Sequence, residues 1–62
     1  MVDFKNLEKG TIIISRFSEI EYYFRGVIKT AKGYFVLIQP LDAKNIYDVD
    51  IDTAKQIFRI KE

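Results

Sequence analysis

The sequence predicts an all-β fold: five short strands curled into a small closed barrel, with a one-turn helix before the last strand. Three observations lead there. Runs rich in Ile, Val, Phe and Tyr recur at residues 11–17, 22–30, 34–39, 46–52 and 57–61, each bounded by polar or glycine-bearing segments. Gly26 stands in the middle of the second run, where a bend or a close backbone approach favours a residue without Cβ. The chain has 62 residues, 48% of them hydrophobic and 15% aromatic, which is enough apolar side chain for a dense core in one small domain spanning residues 1–62.

Residues 1–9 form a lead-in. Phe4 and Leu7 stand three apart, the spacing of one helical turn that lays both on a core, with Asp3 as cap and Gly10 as stop. Strand one holds three isoleucines in a row. Thr11 and Ser15 mark their own face as the wetter one, which sends Ile12 and Ile14 inward and leaves Ile13 and Phe17 outside. In strand two, Phe24, Gly26 and Ile28 alternate with Tyr23, Arg25, Val27 and Lys29, and the two charges mark the second set as outer. Ala31-Lys32-Gly33 reads as a three-residue hairpin loop with Gly33 at positive φ. That loop pairs Thr30 with Tyr34, hence Ile28 with Val36 and Gly26 with Ile38, and on the other face Lys29 with Phe35, Val27 with Leu37 and Arg25 with Gln39. Pro40 cannot donate to a ladder and ends strand three.

Strand four alternates Tyr47, Val49 and Ile51 against Asp48, Asp50 and Asp52. Residues 53–56 form the helical turn, capped by Asp52, and strand five follows. One helix over residues 53–62 is the competing reading, because Ala54, Ile57 and Phe58 also fit helical spacing. The expected core is Ile12, Ile14, Ile28, Val36, Ile38, Val49, Ile51 and Ile60.

The order of these elements resembles the SH3-like barrels, the layout shared by Tudor and KOW domains. The residues that carry the resemblance are Leu7 and Gly10 entering strand one, then Phe24-Arg25-Gly26-Val27-Ile28, which looks like the aromatic-Arg-small-x-aliphatic run of a Tudor second strand. Val36-Leu37-Ile38, then Val49-x-Ile51 and the segment from Ile57 to Ile60, match in order and spacing. The resemblance covers Leu7 to Ile60 and rests on pattern, with no diagnostic motif and no specific family. It implies a barrel of this type and places Phe17, Tyr22, Phe24 and Tyr47 where Tudor domains hold a cage for a methylated Lys or Arg. Gln39-Pro40-Leu41 stands where the loop aromatics of that pattern would be.

Composition narrows the function. Ten Lys and Arg against nine Asp and Glu give a net charge of +1, which is not the strongly basic balance of a general nucleic-acid binder. His and Cys are both absent, so the common zinc sites and the usual nucleophile and base pairs are excluded. No enzyme, cofactor or metal is expected, and the barrel is too small for an enclosed pocket of about 300 Å³. The row Asp48, Asp50, Asp52 lacks the Gly and the closing carboxylate of a calcium loop, whose places hold Thr53 and Arg59. On a strand it reads as a solvated row about 7 Å from one carboxylate to the next that repels edge pairing. The first ten residues carry Asp3, Lys5, Glu8 and Lys9 in place of an apolar signal stretch, and no apolar run approaches a membrane span. A soluble cytoplasmic protein without a membrane partner is expected.

Two binding readings remain. The outer face of strands two and three holds Tyr23, Val27, Phe35 and Leu37 beside Arg25. A solvated sheet face is mostly polar, so this apolar row reads as a surface for a protein partner or for self-association. The alternative is a nucleic-acid platform in which Arg25, Lys29 and Lys32 pair with phosphates and Tyr34 stacks on a base.

Overall fold

The structure is a computed structural model that describes residues 2–61. A 3-10 turn at Phe4–Asn6 leads into β1 (Ile12–Ser15), β2 (Glu21–Thr30), β3 (Gly33–Pro40) and β4 (Tyr47–Asp50), then α1 (Ile51–Ile57) and β5 (Phe58–Ile60). The strands form one antiparallel sheet in the order β4-β3-β2-β1-β5. The ladder is open, with β4 and β5 as its edges, and the expected closure is not formed.

The lead-in turn forms as expected, with Phe4 1% exposed and Leu7 packed partly on the core. Asp3 stands at its N-cap but its carboxylate accepts from the Asn6 side chain and not from the backbone. Gly10 follows at φ +94°, and its N–H donates to the Phe24 carbonyl at 2.7 Å, which ties the lead-in to β2.

In β1 the inward residue is Ile13, fully buried, while Ile12 and Ile14 lie on the opposite face. This reverses the expectation, and Ser15 explains why. Its hydroxyl accepts from the N–H groups of Phe17 and Ser18, both at 3.2 Å, so it is buried at 6% exposure with its polar atom satisfied by the turn it opens. Ser15 marks a turn, not a wet face. Phe17, in that turn, is 81% exposed.

The β2–β3 hairpin closes one residue earlier than expected. Thr30 pairs with Gly33, leaving Ala31-Lys32 as the tip, and the Thr30 hydroxyl bridges the Lys32 N–H and the Gly33 carbonyl. Gly33 does adopt positive φ, at +119°. A second departure lies lower down. Between Phe24 and Gly26 the ladder slips, so Arg25 is the extra residue of a β-bulge. Phe24 faces Ile38 before the bulge, and Val27 faces Val36 after it. Both point to the core, which strict alternation forbids. Val27 therefore turns inward and Ile28, 39% exposed, turns outward, the opposite of the expected pattern. Gly26 makes the bulge possible with φ +119°, and a Cβ there would stand 3.0 Å from the Lys9 side chain.

After β4, α1 begins at Ile51 and not at Thr53, and its cap is Asp50 and not Asp52. The Asp50 carboxylate accepts from the backbone N–H of Asp52 at 3.1 Å and of Thr53 at 3.3 Å. The helix ends at Ile57 and β5 follows, so the competing single helix does not form. Val2 and Phe4 from the lead-in, Ile13, Phe24, Val36 and Ile38 from the sheet, and Ala54 and Phe58 close one core, with Tyr22, Val27, Val49, Ile51 and Ile57 at its margin. Of the expected core, Val36 and Ile38 are in place, Ile14 is buried on the other face, and Ile28 and Ile60 are exposed at 39% and 38%. Ile60 pairs with Ile13 but sits on the edge strand, where its outer flank meets no further strand.

Candidate functional site

Residues directly opposite each other in an antiparallel ladder share a face. One face of this sheet is covered by the lead-in and α1. The other carries Ile12 beside Tyr23 and Gln39, Ile28 beside Phe35, Leu37 beside Gly26 and Asp48, and Ile14 beside Glu21 and Arg59. Ile12, Ile14, Tyr23, Ile28, Phe35 and Leu37 all lie outside the core cluster. Ile12, Tyr23, Phe35 and Leu37 are half-buried, Ile28 is 39% exposed and Ile14 is buried at 8%, and among the described residues none of the six joins the core that the lead-in and α1 close. An antiparallel sheet with one solvated face alternates apolar with polar residues, and β3 does not.

Arg25 stands in this apolar row and is held from two sides. Its Nε donates to the Gln39 Oε1 at 2.8 Å, and its guanidinium lies 5.1 Å from the centre of the Tyr23 ring. The Gln39 amide is itself oriented, because its Nε2 donates to the Ala43 carbonyl at 3.0 Å. The β3–β4 connection thus fixes Gln39, Gln39 fixes Arg25, and the bulge supplies the unpaired backbone position from which Arg25 projects.

Of the five residues predicted for a protein contact, Tyr23, Arg25, Phe35 and Leu37 share this face. Val27 does not, because the bulge turns it to the core. Ile28 takes its place, joined by Ile12 and Ile14, which the sequence reading had put inside. The triple isoleucine of β1 has no internal alternation, so nothing local distinguishes its two faces. The Gly26 position did carry a signal for the irregularity in β2, but not for which residue would be the extra one.

The four residues predicted for a nucleic-acid contact are divided. Lys29 is opposite Tyr34 on the core-facing side of the hairpin, with its Nζ 5.8 Å from the ring centre. Arg25 is on the other face, and Lys32 is at the exposed hairpin tip. Lys5 of the lead-in, which the sequence reading did not single out, brings its Nζ to 3.8 Å from the Tyr34 ring. The four positions implied for an aromatic cage do not come together. Phe24 packs on Phe4 with ring centres 5.9 Å apart, Tyr22 meets Phe58 edge-on at 5.5 Å, and Phe17 and Tyr47 are exposed. Core packing claims two of the four rings.

The acidic row is also broken up. Asp48 is exposed on β4, Asp50 caps α1, and Asp52 is in the first helical turn. Among the described residues no three acidic side chains are grouped as a metal site. An open cleft of about 310 Å³ lies between the β1–β2 and β3–β4 connections, lined by Glu19, Ile20, Glu21, Leu41 and Asp42. Glu21 is engaged there by Lys61 at 2.9 Å. No helix among the described residues is long and apolar enough to cross a membrane. No protein-family model, curated protein or solved structure matches the chain.

Proposed function

We propose that this protein is a non-enzymatic binding module of SH3-like layout that acts by protein–protein contact through the uncovered face of β2 and β3. The strand order, with a short helix before the last strand, supports the layout. The observation that carries the function is the second apolar face. Tyr23, Ile28, Phe35 and Leu37 form an apolar row on a face that is mostly polar in a solvated sheet, and an Arg beside a Tyr is a composition enriched at interfaces. A cytoplasmic setting is part of the same reading. The test is Leu37→Asp, judged against the parent by sedimentation velocity of the protein alone and by cross-linking in extracts of its host. An association that disappears in Leu37→Asp, with the thermal transition kept, supports the reading. Equal behaviour of parent and variant refutes it.

A second reading is favoured by one observation. Lys5 and Lys29 both approach Tyr34, which places two ammonium groups around one half-buried aromatic ring near the hairpin tip. A single-stranded nucleic acid could pair its phosphates there. Titration with an oligonucleotide at two salt concentrations separates the readings. Phosphate pairing loses affinity steeply with salt and is removed by Lys29→Glu with Lys32→Glu, whereas the apolar contact responds to neither.

A further inference from the structure

We infer that the partner of the uncovered face presents one carboxylate framed by apolar side chains, and that Arg25 is the residue that reads it. This rests on the protein-contact reading above and names the chemistry of the partner. The argument starts from the guanidinium. Arg25 spends its Nε on Gln39, and among the described residues its terminal nitrogens have no hydrogen-bond or ion-pair partner. With Nε fixed and the plane held near the Tyr23 ring, those two nitrogens form a fork whose orientation is set before any partner arrives. A planar pair of donors matches the two oxygens of a carboxylate.

The surroundings narrow the match. Tyr23 adjoins Arg25 in sequence register, and Leu37, Phe35 and Ile28 continue the row above the bulge, so a partner group that reaches the fork must lie across apolar surface. Covering that surface removes water from the guanidinium, and a buried cation without a counter-ion is costly. A partner that is apolar throughout therefore leaves Arg25 unpaired. A polyanion is disfavoured for the opposite reason. Asp48 is on the same face beside Leu37, so a further negative charge at that end of the row would meet a carboxylate. One Asp or Glu side chain, or a chain terminus, with Leu-like or Val-like neighbours satisfies all three conditions.

The experiment uses acetylated nonapeptides with serine ends and Leu and Val flanking a central Glu, Gln or Lys, with binding read by fluorescence anisotropy. The Glu peptide is expected to bind about tenfold or more tightly than the Gln peptide, the scale of a charge-assisted pair that becomes desolvated. Arg25→Lys keeps the charge and loses the fork, and should remove most of that preference. Gln39→Leu leaves Arg25 present but unheld, and should reduce the preference several-fold. Leu37→Asp should abolish binding of all three peptides. Amide spectra of each variant confirm the fold. Equal binding of the Glu and Gln peptides, or preference for the Lys peptide, overturns the role of Arg25 while leaving the face itself in place if Leu37→Asp still abolishes binding. Binding that survives Leu37→Asp overturns the face. Failure of the Glu peptide to bind at millimolar concentration overturns the inference.

Discussion

On one side of the sheet Phe24, Val36 and Ile38 join the lead-in turn and α1 in one core, and on the other, among the described residues, Tyr23, Phe35, Leu37 and Ile28 lie outside it. The two sets are alike in size and hydrophobicity. What separates them is the small number of elements available to cover a sheet. A 3-10 turn and a seven-residue helix can bury one face. Among the described residues the second face has no such cover. Apolar residues on a sheet therefore report burial only in combination with a count of what can bury them.

Val36 and Leu37 give the sharpest way to break the comparison, because they are sequence neighbours on opposite faces. Val36→Asp places a carboxylate in the dry core and should leave no cooperative thermal transition, since an unpaired buried charge costs several kcal/mol, comparable to the whole stability of a small domain. Leu37→Asp should shift the midpoint little, by no more than about 1 kcal/mol, as is usual for substitutions that water can still reach. If the two variants are equally damaging, the second face is covered and the distinction fails. Phe24→Ala tests the covered face more gently. It removes the ring that packs on Phe4 and should cost about 3–5 kcal/mol in chemical denaturation. Ile28→Ala, on the other face, should cost well under that.

The bulge sharpens the comparison, because it decides which residues belong to which face. Gly26→Ala forces a Cβ into a backbone at φ +119° and against Lys9, a strain on the order of 1–3 kcal/mol. Gly33→Ala at the same φ meets no neighbouring atom and should cost on the order of 1 kcal/mol. Denaturation midpoints rank the two. Cross-strand contacts in nuclear magnetic resonance spectra show whether Gly26→Ala also drives Ile28 inward, which a loss of the bulge predicts.

Smaller effects are expected at the ends of the elements. Asp50→Ala removes the cap that accepts two N–H groups of α1 and should cost about 0.5–2 kcal/mol. Lys61→Ala breaks the ion pair with Glu21, whose two side chains are 46% and 30% exposed, and should change the midpoint by less than about 0.5 kcal/mol.

Much of this molecule is legible in particular residues. Gly33 announced the hairpin, Pro40 the end of the third strand, and the period of β3 that Val36 shares a face with Ile38, because each is a local constraint on φ, donors or side-chain period. Phe4 announced the lead-in turn for the same reason. Phe35 and Leu37 share the face opposite Val36 and Ile38 because β3 alternates without interruption. Where local signals were silent or shared, the structure decided. Three isoleucines in β1 satisfy either orientation, and only the ladder with Tyr22 and the cover over Ile13 chose between them. Gly26 signalled an irregularity, but the bulge at Arg25 follows from fitting both Phe24 and Val27 to the residues of β3 that face the core. Asp50 and Asp52 were equally good caps by type, and the end of the β4 ladder selected Asp50. The sequence by itself determined the strands, the turn glycines and the apolar character of both faces, since these depend on side-chain chemistry and spacing of two to four residues. Only the tertiary structure decided which apolar face is covered, because burial depends on where distant segments come to rest and on whether there are enough of them.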